Sequence, residues 1–365
     1  MTCFITGIGS FLPGPPITND RIPEFMGELD GESGIREKIL RMNGIKSRHY
    51  ALDADQTATY DVYELAVCAA EKVLASGGNR IGYLSAGSTN APLVGPGLSS
   101  LIHNRLAERG LIHDELEINS NSGICSSSSQ ALVNAVRAVN SGDHQRALCI
   151  GVEQPSAILK SSVIQPPDDR MLYPDKVAES KWFMSVFLRS MLSDGAGAFV
   201  VEDRPEPGRV SYKVNWTYSR SFAHETPLCM KLESRSLLLS QNASILTRYL
   251  KPCIGKLVEA ALSFHGEDLS SYRRVLPHLS SFFFKRYMLC VLNDFCPTGP
   301  VDYWTNLETA GNTGAASIYI MLDEFTQKHP PAHGEKIMLF IPESGQFNFV
   351  LISLTAFHEP IAASW

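Results

Sequence analysis

Along the chain, short unbroken apolar runs alternate with longer stretches in which apolar residues recur every three or four positions, and Gly, Pro, Asn and Asp collect between them. An unbroken run of four to eight residues suits a strand buried on both faces; the longer spacing suits a helix that buries one face. Cys3 to Ile8 predicts such a strand, closed by Gly9-Ser10 and a proline-rich loop from Leu12 to Pro16, and a helical region opens at Thr18-Asn-Asp20. A helix is predicted from Ala58 to Ala75 on Val62, Leu65, Ala66, Ala69 and Val73, then a strand from Ile81 to Ala86, a small-residue loop from Gly87 to Gly97 and a helix from Leu98 to Arg109. Within Ile118 to Val139 the residues are small and polar as far as Cys125, with Gly123 free to take a positive φ in a sharp turn. Beyond it Ala131, Leu132, Ala135, Val136 and Val139 have helical spacing, so Cys125 is expected where a turn becomes a helix. A strand from Arg146 to Val152 delivers Glu153. Residues Val163 to Lys181, rich in Pro, Asp and Ser, predict a surface excursion able to cover a site, and Ser193-Asp-Gly-Ala-Gly-Ala198 leads into the strand Phe199 to Glu202.

The best linker is Asp203-Arg-Pro-Glu-Pro-Gly208, and the strand-like run Val210 to Trp216 after it opens a second half whose layout echoes the first. There, Thr309-Ala-Gly-Asn-Thr-Gly-Ala-Ala-Ser317 passes into an apolar helix (Ile318, Ile320, Met321, Phe325), as the Cys125 turn does. Each of these helices is followed by a basic residue and a hydrophobic strand, Arg146 to Ile150 in one half and Lys336 to Ile341 in the other. The pattern predicts a duplicated α/β fold with halves 1–203 and 209–365, sheets covered by helices, and the helix starts carrying Cys125 and Asn312 facing a common centre.

Composition narrows the class. With 365 residues, 44% hydrophobic and 19% charged, the chain can bury a large core and does not read as disordered. A formal charge of −6 and the lack of a Lys/Arg-rich run argue against nucleic acid. The eight cysteines are scattered without CxxC or Cys/His spacing, so neither a zinc site nor a disulfide framework is expected, and a reducing cytoplasm fits. No signal-peptide pattern and no run of about 18 apolar residues is present, so no membrane association is expected. The Gly-rich segments match neither a dinucleotide fingerprint nor a P-loop.

At the start of a helix, unpaired N–H groups and the positive end of the dipole lower a thiol's pKa, and the thiolate is the nucleophile. Cys125 is therefore a candidate nucleophile; a small buried cysteine beside a Ser-rich helix start accounts for the same residues. Arg41, Lys46 and Arg48 cluster around Gly44, either facing a phosphate-bearing ligand or forming ordinary solvated surface.

Gly123-Ile-Cys125 and its helix, Asp194-Gly-Ala-Gly197, His278 after Leu276-Pro277, Gly311 to Ser317 and Glu343-Ser-Gly-Gln-Phe347 occur in this order over nearly the whole chain. Together they resemble the thiolase superfamily, specifically the β-ketoacyl-acyl carrier protein synthase III-like condensing enzymes. The resemblance implies a thiolase-like duplicated fold of αβαβα layers and a homodimer. It implies that Cys125 accepts an acyl group from a thioester, while His278 and Asn312 stabilise the enolate of a second substrate, and that amides at Cys125 and near Gly345 hold the tetrahedral oxyanion. Substrates would be acyl and malonyl or β-ketoacyl thioesters on coenzyme A or an acyl carrier protein, with no tightly bound cofactor.

Two departures bear on substrate. Typical members place a Gln-Ala-Asn-like triplet after the His, where Leu279-Ser280-Ser281 and then Phe282-Phe283-Phe284-Lys285-Arg286 follow here; and the tryptophan that stacks on coenzyme A is absent from Lys38 to Gly44. A carrier protein held by Arg41, Arg48, Lys285 and Arg286 is the preferred donor. Glu153 is a candidate general base, because burial raises a carboxylate's pKa toward a useful value; a structural carboxylate bonded to loop amides is the competing reading. In its Gly-Val-Glu and altered His loop the sequence is similar to bacterial ketosynthases that join an acyl to a β-ketoacyl thioester and close a cyclohexanedione, the precursor of dialkylresorcinols and stilbenes. Two other functions compete: transfer of the Cys125-bound acyl group to oxygen or nitrogen, and a non-catalytic partner subunit, against which the retained Cys125, His278 and Asn312 count.

Overall fold

The structure is a computed structural model that describes residues 2–75, 80–172 and 174–358. Its principal strands are β1 (Cys3–Phe11), β2 (Tyr83–Ser88), β3 (Glu117–Ser122), β4 (Arg146–Glu153), β5 (Gly195–Glu202), β6 (Val210–Ser221), β7 (Arg274–Pro277), β8 (Lys336–Ile341) and β9 (Asn348–His358). Its principal helices are α1 (Ser33–Asn43), α2 (Val62–Leu74), α3 (Leu98–Glu108), α4 (Ser127–Ser141), α5 (Lys181–Arg189), α6 (Ala243–His265), α7 (Lys285–Asp294) and α8 (Ser317–Lys328). The strands hydrogen-bond in the order β7-β8-β9-β6-β1-β5-β4-β2-β3, and β1 meets β6 antiparallel at the middle. Outward from that junction, β1-β5-β4-β2 and β6-β9-β8-β7 repeat one scheme: antiparallel, antiparallel, then parallel at the last pair.

The alternation of side chains along the strands builds the layers. In β4, Ala147 and Cys149 point into a central core shared with Ile337, Leu339 and Ile341 of β8, and α4 and α8 lie within that core. Leu148, Ile150 and Val152 point the other way, onto α2 and α3. On β8, Met338 and Phe340 face a third core built on α6. The result is helix, sheet, helix, sheet, helix, the expected αβαβα stack.

Two glycines let the middle helices sit this close. A Cβ on Gly197 of β5 would lie 2.2 Å from Tyr319 Cβ of α8, and one on Gly151 of β4 would lie 2.8 Å from Ser128 Cβ of α4. Across the helices, Tyr319 donates to the Ser128 carbonyl at 2.8 Å and the Ser128 hydroxyl to that of Ala315. These contacts bring the two helix starts together.

Several expectations shift in detail. The strand expected to end at Ile8 runs on to Phe11, because β5 pairs with it as far as Ala196. The second predicted helix begins at Val62, where the Asp61 side chain accepts from the Glu64 amide at 2.7 Å. The small polar residues before Cys125 form an exposed edge strand, β3, and Gly123 does not take a positive φ. Among the described residues of 163–180, two short 3₁₀ turns form, with Met171 and Leu172 exposed; none of these residues lines the cavity around Cys125. Among the described residues, no helix is long and apolar enough to cross a membrane.

Candidate active site

Cys125 lies two residues ahead of α4, buried, and forms part of the wall of two adjoining cavities. The first is lined by Thr89, Glu153, Asn312 and Gly314 at its polar end and by Ile158, Leu188, Met191, Leu192, Met230 and Leu239 elsewhere. The second holds His278 and runs between Leu246, Leu250 and Ile254 of α6, Met288 of α7 and Phe284. Ser280 and Ser344 line both. The fold thus gathers Cys125, Glu153, His278 and Asn312, separated by up to 187 positions in sequence, around one sulfur.

Each group is held differently. His278 follows β7, and its amide donates to the Phe340 carbonyl at 2.8 Å. Its Nδ1 lies 2.6 Å from Ser317 Oγ at the start of α8, and its buried Nε2 has no hydrogen-bond partner among the described residues. Burial pulls the imidazole down to about 4, so it is neutral near pH 7. Asn312 precedes α8 by five residues rather than opening it, with a 3₁₀ turn at Gly314–Ala316 between them. Its Oδ1 accepts from the Gly314 amide at 3.0 Å, which leaves Nδ2 as the donor toward the cavity.

Glu153 ends β4. Its Oε1 accepts from Thr89 N at 2.8 Å, Thr89 Oγ1 at 2.6 Å and Ala315 N at 3.3 Å, all on the same oxygen. Burial outweighs these donors and pushes the carboxyl up to about 7. Gly314 is needed beside it: φ is +52°, and a Cβ there would lie 3.0 Å from Glu153 Cγ.

Cys125 departs from expectation. Its thiol is pushed up, first by burial and then by the charges of Glu343 and Glu153, with only its own amide opposing them. At rest it is a thiol, despite the helix behind it.

The basic residues divide. Arg48 is 0% exposed, its Nη1 donating to Asn19 Oδ1 at 2.7 Å and its Nη2 to the Ser190 carbonyl at 3.2 Å, so it cannot meet a carrier. It reads as surface from the sequence because its burial depends on distant segments. Arg41 and Arg286 are exposed, and Lys285 is half-buried with its ammonium 5.0 Å from the Tyr303 ring centre. Sequence reasoning did not single out Thr89 or Ser317 as supports, although both sit in small-residue loops it noted.

No family model matches the chain. A β-ketoacyl-[acyl-carrier-protein] synthase III of Xanthomonas oryzae pv. oryzae is 24% identical over 342 residues, 92% of this chain and 93% of the relative. One of Acholeplasma laidlawii is 25% identical over 332 residues, 89% and 90% of the two chains. Among solved structures, AbyA1, a tetronic acid condensing enzyme, superposes with a TM-score of 0.77 at 18% identity, covering 97% of this chain and 99% of that one. FabH of Pseudomonas aeruginosa PAO1 gives 0.72 at 20% identity, with 99% and 100% covered. Acetamide-bound OleA of Xanthomonas campestris gives 0.73 at 20%, with 97% and 99% covered. The fold is that of the thiolase-like condensing enzymes. Within that class, the chain is similar over about nine-tenths of its length to β-ketoacyl-[acyl-carrier-protein] synthase III enzymes, at 24% and 25% identity.

Proposed function

We propose that this protein forms a carbon–carbon bond between an acyl group carried on Cys125 and a β-ketoacyl thioester. The observation that carries this reading is Glu153: a buried carboxyl near neutrality, in the same cavity as Cys125 and Asn312. A malonyl partner makes its carbanion by losing CO₂ and needs no base, whereas a β-ketoacyl partner must surrender an α-proton.

The steps follow from the groups present. With Nδ1–H turned to Ser317, Nε2 of His278 accepts the Cys125 proton as sulfur attacks the thioester, and gives it to the departing carrier thiolate. Glu153 then takes the α-proton of the second substrate. With the Ser317 hydroxyl rotated to donate, His278 Nε2–H and Asn312 Nδ2 are the donors for the enolate oxygen. The carbanion attacks the acyl carbonyl and Cys125 leaves as a thiolate, which regains the proton that Glu153 took; a second, intramolecular condensation, in which another α-carbanion attacks the remaining thioester and expels the carrier thiolate, would close a cyclohexanedione.

The same reading extends to partners. It takes an acyl carrier protein as the donor, supported by Arg41 and Arg286 exposed at helix ends beside Phe283, and by Met42 standing exposed where a stacking tryptophan is absent. It takes the active form as a cytoplasmic homodimer, supported by the open edge of β3 with Ile118 exposed, and by the exposed Leu93 and Val94 beyond Thr89 and Asn90. Residues 1–203 and 209–365 are read as duplicated halves, supported by the matching strand schemes on either side of the β1–β6 junction.

Intact-mass spectrometry tests the proposal. Wild type should gain an acyl mass from acyl thioesters, Cys125→Ala should not, and Glu153→Gln should load but fail to condense with a β-ketoacyl carrier protein. Condensation with a malonyl partner that Glu153→Gln retains would instead indicate a starter-type synthase. Release of the loaded acyl group to an alcohol or amine would indicate an acyltransferase, and no loading would indicate a non-catalytic subunit.

A further inference from the structure

The loop after β8 brings a second buried carboxylate to the nucleophile, one that the condensation steps do not use. Glu343 is buried, and Ser126, the residue next to Cys125, donates its hydroxyl to Glu343 Oε2. Burial pushes its carboxyl up, and the Ser126 hydroxyl with the amides of Gln346, Ser126 and Ile124 opposes that rise, the Gln346 amide donating to Oε1 at 3.4 Å. Ser126 is the cap residue of α4 yet makes no side-chain bond to that helix's own amides. Its hydroxyl, held also by Asn348 Nδ2 at 3.1 Å, is given to the opposite half of the chain. The contact is tight: a Cβ on Gly345 would lie 2.5 Å from Glu343 Oε1 and 2.8 Å from Ile124 Cγ1.

A helix start carries about half a positive charge, which favours a thiolate placed there. A carboxylate held by the hydroxyl and amide of the cap residue Ser126 opposes that field. We infer that Glu343 is a positioning residue that caps the amide end of α4 from across the site, fixes the Cys125 turn against loop 344–346, and holds the nucleophile as a neutral thiol until substrate arrives. The direction of the thiol's own shift agrees, since the Glu343 charge is its largest cause after burial. Glu153 lines a cavity with Cys125 from the end of β4, and His278 lines the other from the segment after β7.

The inference rests on Cys125 as the nucleophile, and the test separates the two. The rate of Cys125 alkylation by iodoacetamide is followed against pH by peptide mass mapping, which resolves it from the exposed Cys290. Glu343→Gln keeps the size and hydrogen-bonding capacity but removes the charge; its midpoint should fall by about one to three pH units. Ser126→Ala, which keeps the charge but loses the tie, should slow acyl loading without lowering the midpoint. A Glu343→Gln profile that superimposes on wild type would overturn the inference. Should that variant not fold, Glu343→Asp keeps the charge at shorter reach: a lowered kcat at unchanged KM supports the positioning role, and an unchanged kcat overturns it. A shifted profile in a protein that no thioester acylates would leave Glu343 as assigned and remove the condensing reading. Normal loading with an unshifted profile would do the reverse.

Discussion

At the scale of single residues, the site is governed by what burial does to charge. Glu153 must be ionised to take a proton, and its carboxyl is raised to about 7. Condensation with a β-ketoacyl partner should therefore rise with pH through a midpoint near 7, while acyl loading measured alone should not follow that curve. Replacing Glu153 by Gln should cut the condensation rate by about 10²- to 10⁴-fold, the usual worth of a general base, in a single-turnover assay that starts from loaded enzyme. Ser317→Ala removes the Nδ1 partner of His278; we expect both loading and condensation to slow while the mass of the loaded species is unchanged. Cys125, Glu153, His278 and Asn312 were legible in the sequence because each lies in a short, recognisable setting. The state of Cys125 was not. Its helix was visible, but the carboxylate that occupies the helix start lies 218 positions away.

At the scale of elements, the site exists because α4 and α8 press their first turns against strands with no side chain in the way. Gly197→Ala would drive a methyl into Tyr319, with a Cβ–Cβ separation of 2.2 Å, and α8 would have to withdraw along with Ser317. A loss of about 3 kcal/mol in stability is expected from denaturant unfolding, together with slower acyl loading. Away from the site, Asp61→Ala should cost about 1 kcal/mol by removing the cap of α2, with loading unaffected. Helix α6 shows the opposite lesson on legibility. Leu246, Leu250, Cys253, Ile254, Leu257, Val258 and Leu262 have plain helical spacing, and the helix persists over 23 residues although Pro252 lies inside it. Its partner face on β8 and β9 supplies the burial that outweighs the missing N–H.

At the scale of the whole molecule, stacking five layers leaves carboxyls deep inside, and stability should depend on pH accordingly. Glu153 and Asp194 are raised to about 7 and about 6, so the contribution of their neutral forms is complete below their unfolded values and is lost as pH rises through those folded values. His278 is depressed to about 4, so its contribution is present above its unfolded value and is lost as pH falls toward 4. Melting temperature should thus fall between pH 5 and 7.5, and Glu153→Gln should flatten that fall by an amount on the order of 3 kcal/mol at most. Sedimentation should give twice the chain mass of 40.1 kDa, and Ile118→Lys on the β3 edge should return it to the monomer.

By itself the sequence determined the main strands and helices, because hydrophobic period and turn residues are local properties that any segment carries with it. Tertiary structure alone decided that Arg48 is interior rather than a carrier contact, that Cys125 opens onto two cavities, and that Glu343 sits on its helix. Burial and electrostatic coupling depend on which distant segments share a layer, and those neighbours exist only once the two halves of the nine-stranded sheet have closed around α4 and α8.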